Sequence, residues 1–443
     1  MDPDDAKRRR EEEAAIIMLL MLLVVLLGLC GLMFYLLKWL LGIPGRIWSW
    51  LWGGSTEGTV KESADERRSW YPEGAFNEPA AINLRVPWSW PQGGSTVGAI
   101  NKPAAERKPW CLHPHQLELW YNENIQRGTT DFDTDCREAV DTVVRYLHRV
   151  CSTNKDLFDV SKVVKGGSLG KGTMVKDLSD VDLVVFINPP HMTSLGSTDP
   201  QLYRDKLKTV LKELAAALRR HPLVRFKRSD AYLVNFAVEV RSGATDLSLR
   251  SVDVDLLPTA DNISGHKYSL GLLFKEMLQM RNYDSGFYSA SLVELQRDFV
   301  KNQPGYVKEL IRLVKYWAYT CLPQHLRKSY PLELITIHRW GNAWSPSHFQ
   351  KVQGLRDVLE TLTDLNRLRT YWVEHYDGTL AKRSIEKLGL QNPIVLDPAN
   401  PTNNACWAYQ RSSNREQIQG AARKTLRSPL LRDVVVTSNW GGC

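Results

Sequence analysis

The stretch VVKGGSLGKGTMVKDLSDVDLVVF, Val163 to Phe186, decides how the rest of the chain is read. It sets glycines around Lys171 and then two aspartates, Asp180 and Asp182, one residue apart. Glycine lets a backbone come close to phosphate oxygens, so the first half points to a phosphate-bearing ligand. A P-loop is excluded. That motif needs G-x-x-x-x-G-K-[ST], but here Gly172 follows Gly170-Lys171 and Lys165 holds the first-glycine position.

The second half is more specific. VDLVVFI, residues 181–187, is nearly all apolar and predicts a strand buried on both faces. A side-chain period of two puts Asp180 and Asp182 on one face. Carboxylates that close repel each other unless a cation holds them. Mg²⁺ binds readily between carboxylates and substrate phosphates. SVDVDLLP, residues 251–258, supplies a third carboxylate from a second strand, Asp255, with Asp253 beside it. A two-metal site of this kind activates an attacking hydroxyl and steadies the leaving pyrophosphate. Gly166 and Gly167 then admit the triphosphate, and Ser168 donates to it. A glycine-rich turn before a strand with a polar end is the plainer alternative, and the third acidic strand weighs against it.

Outward from this stretch, TDFDTDCREAVDTVVRYLHRVC (130–151) carries apolar residues at helical spacing. SKVVKGG, AYLVNFAVEV and LSLRSVDVDLL predict further strands, and residues 200–220 a basic amphipathic helix. After about residue 265 the pattern is helical, through SLVELQRDFVKNQ, GYVKELIRLVKYWAYTC, PLELITIHRWG and HFQKVQGLRDVLETLTDL. Strands with interspersed helix and then a run of helices predict an α/β (α+β) fold, with a mixed sheet in one lobe and a C-terminal helical lobe.

The order Gly-Gly-Ser, Asp-x-Asp and a distant Asp resembles the nucleotidyltransferase superfamily fold of DNA polymerase β. Longer motifs narrow the resemblance. VSKVVKGGSLGKGT, SDVDLVVFINP, VDVDLLP, LVELQRDFVKNQPGYVKELIRLVKYW, YPLELITIH and VLDPANPT are similar to the 2′-5′-oligoadenylate synthetases, densely over 161–340 and more loosely over 111–440. The resemblance implies a polymerase-β-like lobe at 111–265 and a helical lobe at 266–443. It implies double-stranded-RNA-activated joining of ATP into 2′-5′-linked oligoadenylates, in an antiviral response. Asp180, Asp182 and Asp255 would be catalytic and would hold two Mg²⁺ ions. Gly167, Ser168, Lys171, Arg312, Lys315, Ser329 and Tyr330 would meet ATP, Lys171 as a base beside nucleotide or RNA. Ser329 departs from the family, which carries glutamine there for a nucleotide contact. Lys165, Arg297 and Lys301, with Arg145 and Arg149, would meet the RNA backbone. Tyr306 and Gln303 stand where the family often has bases. A related enzyme making a cyclic dinucleotide or another linkage is one alternative, and a catalytically silent RNA-binding sensor is another.

Composition agrees with a polyanionic partner. Residues 111–443 hold 44 basic and 36 acidic side chains, so the whole net charge of +8 sits there. Seven scattered cysteines with no CxxC pair argue against a disulfide framework or zinc site and for a reducing compartment.

The N-terminus has no counterpart in the family's usual catalytic unit. A charged tail (1–13) precedes Ala14 to Leu37, 24 residues without a charge. As a helix this run is about 36 Å long, enough to cross a bilayer, and a transmembrane helix is expected over 14–41. Trp39, Trp48, Trp50 and Trp52 suit a headgroup layer. Residues 42–110 read as a flexible linker containing a repeat: 12 of 23 positions agree between residues 48–70 and 88–110. The expectation is a membrane-anchored protein with its catalytic region in the cytosol.

Overall fold

The computed structural model describes residues 108–441, apart from 154–157, 177, 179, 242–248, 264–269 and 281–285. Among these residues no helix is long and apolar enough to cross a membrane. That finding overturns the expected membrane anchorage. The segment on which it rested, with the charged tail and the tryptophan-bearing repeat, lies outside the described residues.

Helix α1 (Arg127–Thr153) leads into strand β1 (Val160–Lys165), a short helix α2 (Gly167–Lys171) and strand β2 (Val181–Ile187). Helix α3 (Pro200–Leu218) follows, then β3 (Val224–Ser229), β4 (Val234–Arg241) and β5 (Leu249–Thr259). The sheet order is β1-β2-β5-β4-β3. Only β2 and β5 run parallel, so the sheet is mixed as the sequence predicts.

Local chemistry explains the elements. The Asp199 carboxylate accepts from the Gln201 and Leu202 amides at 2.7 and 3.2 Å and starts α3, with Pro200 in the first turn. Tyr203, Leu207, Val210, Leu211, Leu214 and Leu218 then fall on one buried stripe against β3, β4 and β5. Along β2 every residue is buried except Asp182. Val181, Leu183, Val185 and Ile187 join the main core, whereas Val184 and Phe186 face a small second core with Val164, Leu257 and Val293. Asp182 shares the parity of Val184 and Phe186, so its carboxylate emerges on this second face.

The remainder is helical. It comprises α4 (Leu270–Gln279), α5 (Val293–Lys301), α6 (Gly305–Cys321), α7 (Ser329–Asn342) and α8 (Lys351–Leu362). After β6 (Arg369–Thr370) come α9 (Gly378–Lys387), β7 (Ile394–Asp397), β8 (Asn400–Asn404) and α10 (Ser412–Leu426). The small sheet β6-β7-β8 is absent from the sequence reading, because two- to five-residue strands carry no usable period. Helix α6 is the spine: Val307, Leu310, Ile311, Leu313, Val314 and Trp317 are fully buried. Helices α6 and α8 meet at Gly354, where a Cβ would lie 2.7 Å from Leu310 Cδ2 and 3.1 Å from the Trp440 ring. Close beside it Arg339 grips Asp357 with paired bonds, the shortest 2.8 Å, and the Trp440 indole donates to the same carboxylate at 3.0 Å.

Gly354→Ala therefore forces a methyl into a filled site. A loss of about 1–3 kcal/mol in unfolding free energy is expected, measured by denaturant titration.

Candidate active site

The site is built where β2 and β5 run side by side. Their register sets Asp182 opposite Asp255, with Asp180 just before β2. Asp255 Oδ1 accepts from the Asn235 amide of β4 at 2.8 Å. Its other oxygen, Oδ2, is buried and without a hydrogen-bond partner. Asp253 sits one step out and takes the Lys227 ammonium at 2.5 Å.

The glycine loop closes on this pair. The Gly166 amide donates to the Asp182 carbonyl at 2.9 Å. Gly167 has φ +49°, and a Cβ there would lie 1.6 Å from Asp182 Oδ2. Only glycine tolerates both the backbone and the contact. Gly170 is equally confined, 2.2 Å from the Lys165 carbonyl oxygen by the same measure. Helix α2 begins within this glycine stretch, at Gly167.

Helices α6 and α7 hold the loop from the other side. Lys315 donates to Ser168 Oγ at 2.6 Å and to the Thr173 carbonyl at 2.9 Å. Arg312 donates to the Gly172 carbonyl at 2.9 Å. Lys171 turns inward: it is 8 % exposed, donates to Glu333 at 2.9 Å and lies 4.0 Å from the Tyr330 ring centroid. In this conformation its charge is matched by a carboxylate inside the protein. Glu333 also accepts from Thr173 at 2.7 Å and stands 3.6 Å from Lys315. Ser329 opens α7 half-buried, and the Tyr330 hydroxyl donates to Asp397 at 2.8 Å.

The electrostatics follow from burial. Burial and then the neighbouring Asp180 push the Asp182 carboxyl up to about 7. Burial and then Asp182 push Asp255 up to about 8. Burial and then Asp253 raise Asp180 to about 6. Lys315 is lowered to about 8, by burial first, while Glu333 opposes that shift. Burial alone would raise Glu333, but Lys171, Lys315 and Thr173 together hold it below its ordinary value.

No three acidic, histidine or cysteine side chains among the described residues stand in the geometry of a ready-made metal cage. The donor set nonetheless fits a hard divalent cation. It consists of carboxylates on one face, and Asp255 Oδ2 is a buried acceptor with nothing to accept.

Of the expected RNA contacts, four lie along one stretch. Asp141 pairs with Lys165 at 3.8 Å, and its carbonyl takes the Arg145 Nε–H at 3.1 Å. Arg297 pairs with Asp298 at 2.8 Å and packs against Gly170. Lys301 is exposed at the end of α5. Burial first, and then the nearby Arg149, lower the His221 imidazole.

Sequence reasoning passed over Glu333, Asn235, Asp397 and Lys227. A signal existed for the first two: Glu333 is the one charged residue in PLELITI and Asn235 the one polar residue in LVNFAV. Burying such a group requires a partner.

Two outcomes follow. Glu333→Gln leaves two buried ammonium groups without their countercharge and costs about 3–5 kcal/mol, read from thermal or denaturant unfolding. The three aspartates titrate higher in the folded chain than the ordinary 3.8. Their contribution to stability is therefore complete below about pH 4 and is lost as pH rises through their folded values. Without divalent cations the melting temperature falls between about pH 5 and pH 8. Asp255→Asn flattens that fall.

The family described as 2′-5′-oligoadenylate synthetase 1, domain 2, C-terminus, matches residues 268–440, and the nucleotidyltransferase domain matches residues 147–237. The 2′-5′-oligoadenylate synthase 1A of Rattus norvegicus is 34% identical over 319 residues, covering 68% of this chain and 86% of that protein. Its counterpart in Mus musculus is 35% identical over 294 residues, covering 62% and 78%. A third relative, named inactive 2′-5′-oligoadenylate synthase 1B of Rattus norvegicus, is 32% identical over 319 residues, covering 68% and 82%. Among solved structures the MgGTP-bound Cid1 poly(U) polymerase overlaps with a TM-score of 0.43 at 15% identity, over 74% of this chain and 98% of that one, too loosely to add to the argument. With the glycine loop, the paired aspartate strands and relatives of this closeness along most of its length, the chain belongs to the 2′-5′-oligoadenylate synthase family and is a nucleotidyltransferase.

Proposed function

We propose that the chain polymerises ATP into 2′-5′-linked oligoadenylates with release of pyrophosphate, and that double-stranded RNA activates it. One observation carries the reading: the register that sets Asp182 opposite Asp255, with Gly167 packed on the Asp182 carboxylate. This brings a phosphate-approaching backbone and a face of carboxylates to one spot.

In this reading Ser168 and the loop amides receive the donor triphosphate. Lys315, already bonded to Ser168, and Arg312, on the Gly172 carbonyl, supply positive charge on the same side. Asp180, Asp182 and Asp255 would hold two Mg²⁺ ions, which when bound lower the pKa of the attacking hydroxyl and steady the leaving oxygens. Asn235 keeps one Asp255 oxygen occupied and so leaves the other to bind. Glu333 holds the two lysines in place while leaving the cluster one positive charge in excess. The presence of all three aspartates supports an active enzyme over a silent sensor, a distinction that matters beside a relative named inactive.

Duplex RNA binding rests on Lys165, Arg145, Arg297 and Lys301. They lie at the end of β1, on α1 and on α5, and spaced bases of this kind are what backbone recognition of duplex RNA uses.

The test is incubation with ATP, Mg²⁺ and duplex RNA, with the product digested by a ribonuclease that cuts only 3′-5′ bonds. Resistant linear oligoadenylates are expected; a ring-closed or sensitive product would sink the reading. Asp182→Asn should lower turnover by roughly 10²- to 10³-fold or more while the fold survives. Lys301→Ala should weaken duplex RNA binding alike for all sequences and reduce the salt slope by about 1, measured by titration at several salt concentrations.

A further inference from the structure

A cavity of about 500 Å³ opens in the helical half, and Arg369, Gln391, Asn392, Ile394, Gln410 and Arg415 line it. None of these residues belongs to the site described above. The volume falls in the range of small-molecule sites. Short elements bring the lining together. Strand β6 pairs with β7 so that Arg369 stands opposite Ile394. Arg415 comes from the start of α10, and Gln410 from the residue before its cap. Ile394 lies three residues before Asp397, the acceptor of the Tyr330 hydroxyl, so roughly 10 Å of strand separates the cavity from that contact.

The polar groups there are sorted by sign. No carboxylate lines the cavity, and among the described residues none pairs with Arg369 or Arg415. The nearby Asp364 is taken by Arg367 at 3.2 Å. Arg415 is half-buried and fixed: Nη1 donates to Asn366 Oδ1 at 2.9 Å and to the Asn392 carbonyl at 3.3 Å. Both partners are neutral, so the guanidinium charge stays unmatched, with Nε and Nη2 left to bind. This end of α10 has no side-chain cap and no acid in its first turn, so the helix dipole adds to the same positive field. The three carboxamides act in the opposite sense. Each commits its NH₂ group to a backbone carbonyl: Gln391 to Gly389, Asn392 to Asn366 and Gln410 to Gln391. Their oxygens are left as acceptors. Guanidinium forks grip phosphate oxygens in pairs, and carboxamides read the amino edges of bases.

We propose that this cavity is a nucleotide-binding site separate from the paired aspartate strands. Arg369 and Arg415 hold the phosphate of a nucleoside monophosphate, and the carboxamide oxygens of Gln391, Asn392 and Gln410 accept from N–H groups of its base. Ile394 supplies an apolar surface beside the base. The guanidinium groups provide the whole countercharge, so binding needs no metal. The assignment stands apart from the nucleotidyl transfer proposed above and holds whether or not that reading does.

The probe is 8-azidoadenosine 5′-monophosphate, photolysed with the full chain in EDTA and mapped by mass spectrometry. Label is expected on the peptides carrying Gln391 and Gln410. Displacing it should take roughly tenfold less 5′-AMP than adenosine or inorganic phosphate. Arg369→Met, at an exposed position of β6, should weaken the labelling about tenfold. Arg369→Lys, which keeps the charge, should restore part of it, a result that general misfolding would not give. Asp182→Asn should leave the label unchanged, because the aspartates take no part. No displaceable label on these peptides overturns the assignment, as does equal displacement by adenosine. Label as strong in Arg369→Met as in the wild-type chain overturns it too. If that variant instead weakens duplex RNA binding with labelling unchanged, Arg369 belongs to an RNA surface and the nucleotide site falls.

Discussion

Everything in the site answers to one constraint, the parallel pairing of β2 with β5. That pairing sets Asp182 against Asp255 inside the protein, with Asp180 and Asp253 beside them. Two like charges about 4 Å apart cost roughly 4 kcal/mol at an effective dielectric of about 20. A single hydrogen bond returns only about 0.5–1.5 kcal/mol. Asn235 alone therefore cannot keep the cluster ionised. Either protons or cations must neutralise it, and the upward shift of the Asp182 and Asp255 carboxyls follows from the same repulsion and burial. A cation site and a pH-sensitive fold are two views of the same concentration of charge.

The opposite charge is arranged with similar economy. Glu333 faces Lys171 and Lys315 together, so this buried group has one positive charge to spare. Both lysines act on Asp182 and oppose its protonation. The same contacts join the glycine loop to α6 and α7 through Ser168, Gly172 and Thr173. A group that neutralises the aspartates thereby also fixes the loop's position. Such an ion cluster is poor evidence of stability in itself, since desolvation consumes most of the attraction. Its value lies in holding the loop at one distance from the carboxylates.

Much of this was legible in the residues. Asp-x-Asp on an apolar strand, a second acidic strand and a glycine loop before them specify the chemistry, because period two and charge repulsion act locally. The sheet's mixed character and the helical second half also follow from periodicity. Contacts across distance were not legible. Lys171 reads as a loop base, yet it is buried, because Glu333 from a helix 162 residues later receives it. Tyr330 reads as a nucleotide contact, yet its hydroxyl is held by Asp397, which only the small sheet β6-β7-β8 brings into place. The apolar run at 14–41 has the composition of a membrane span, but composition alone does not establish where a chain resides.

The basic strand shows most sharply where sequence reading stops. Arg228 breaks the alternation that Val224 to Lys227 follows, so VRFKRS gives only a four-residue strand signal and the sequence reading missed β3 altogether. One extra residue repairs the pattern. With Lys227 counted as the bulge, Arg225 and Arg228 fall in step with Ala237 and Asn235, and Phe226 turns to pair with Phe236 away from the acids. A one-residue slip would carry the bases to the other face, where they would meet the main apolar core. Burying bare guanidinium and ammonium groups there would cost several kcal/mol each. The bulge is thus fixed by what it keeps out of the core as much as by what it places beside the carboxylates.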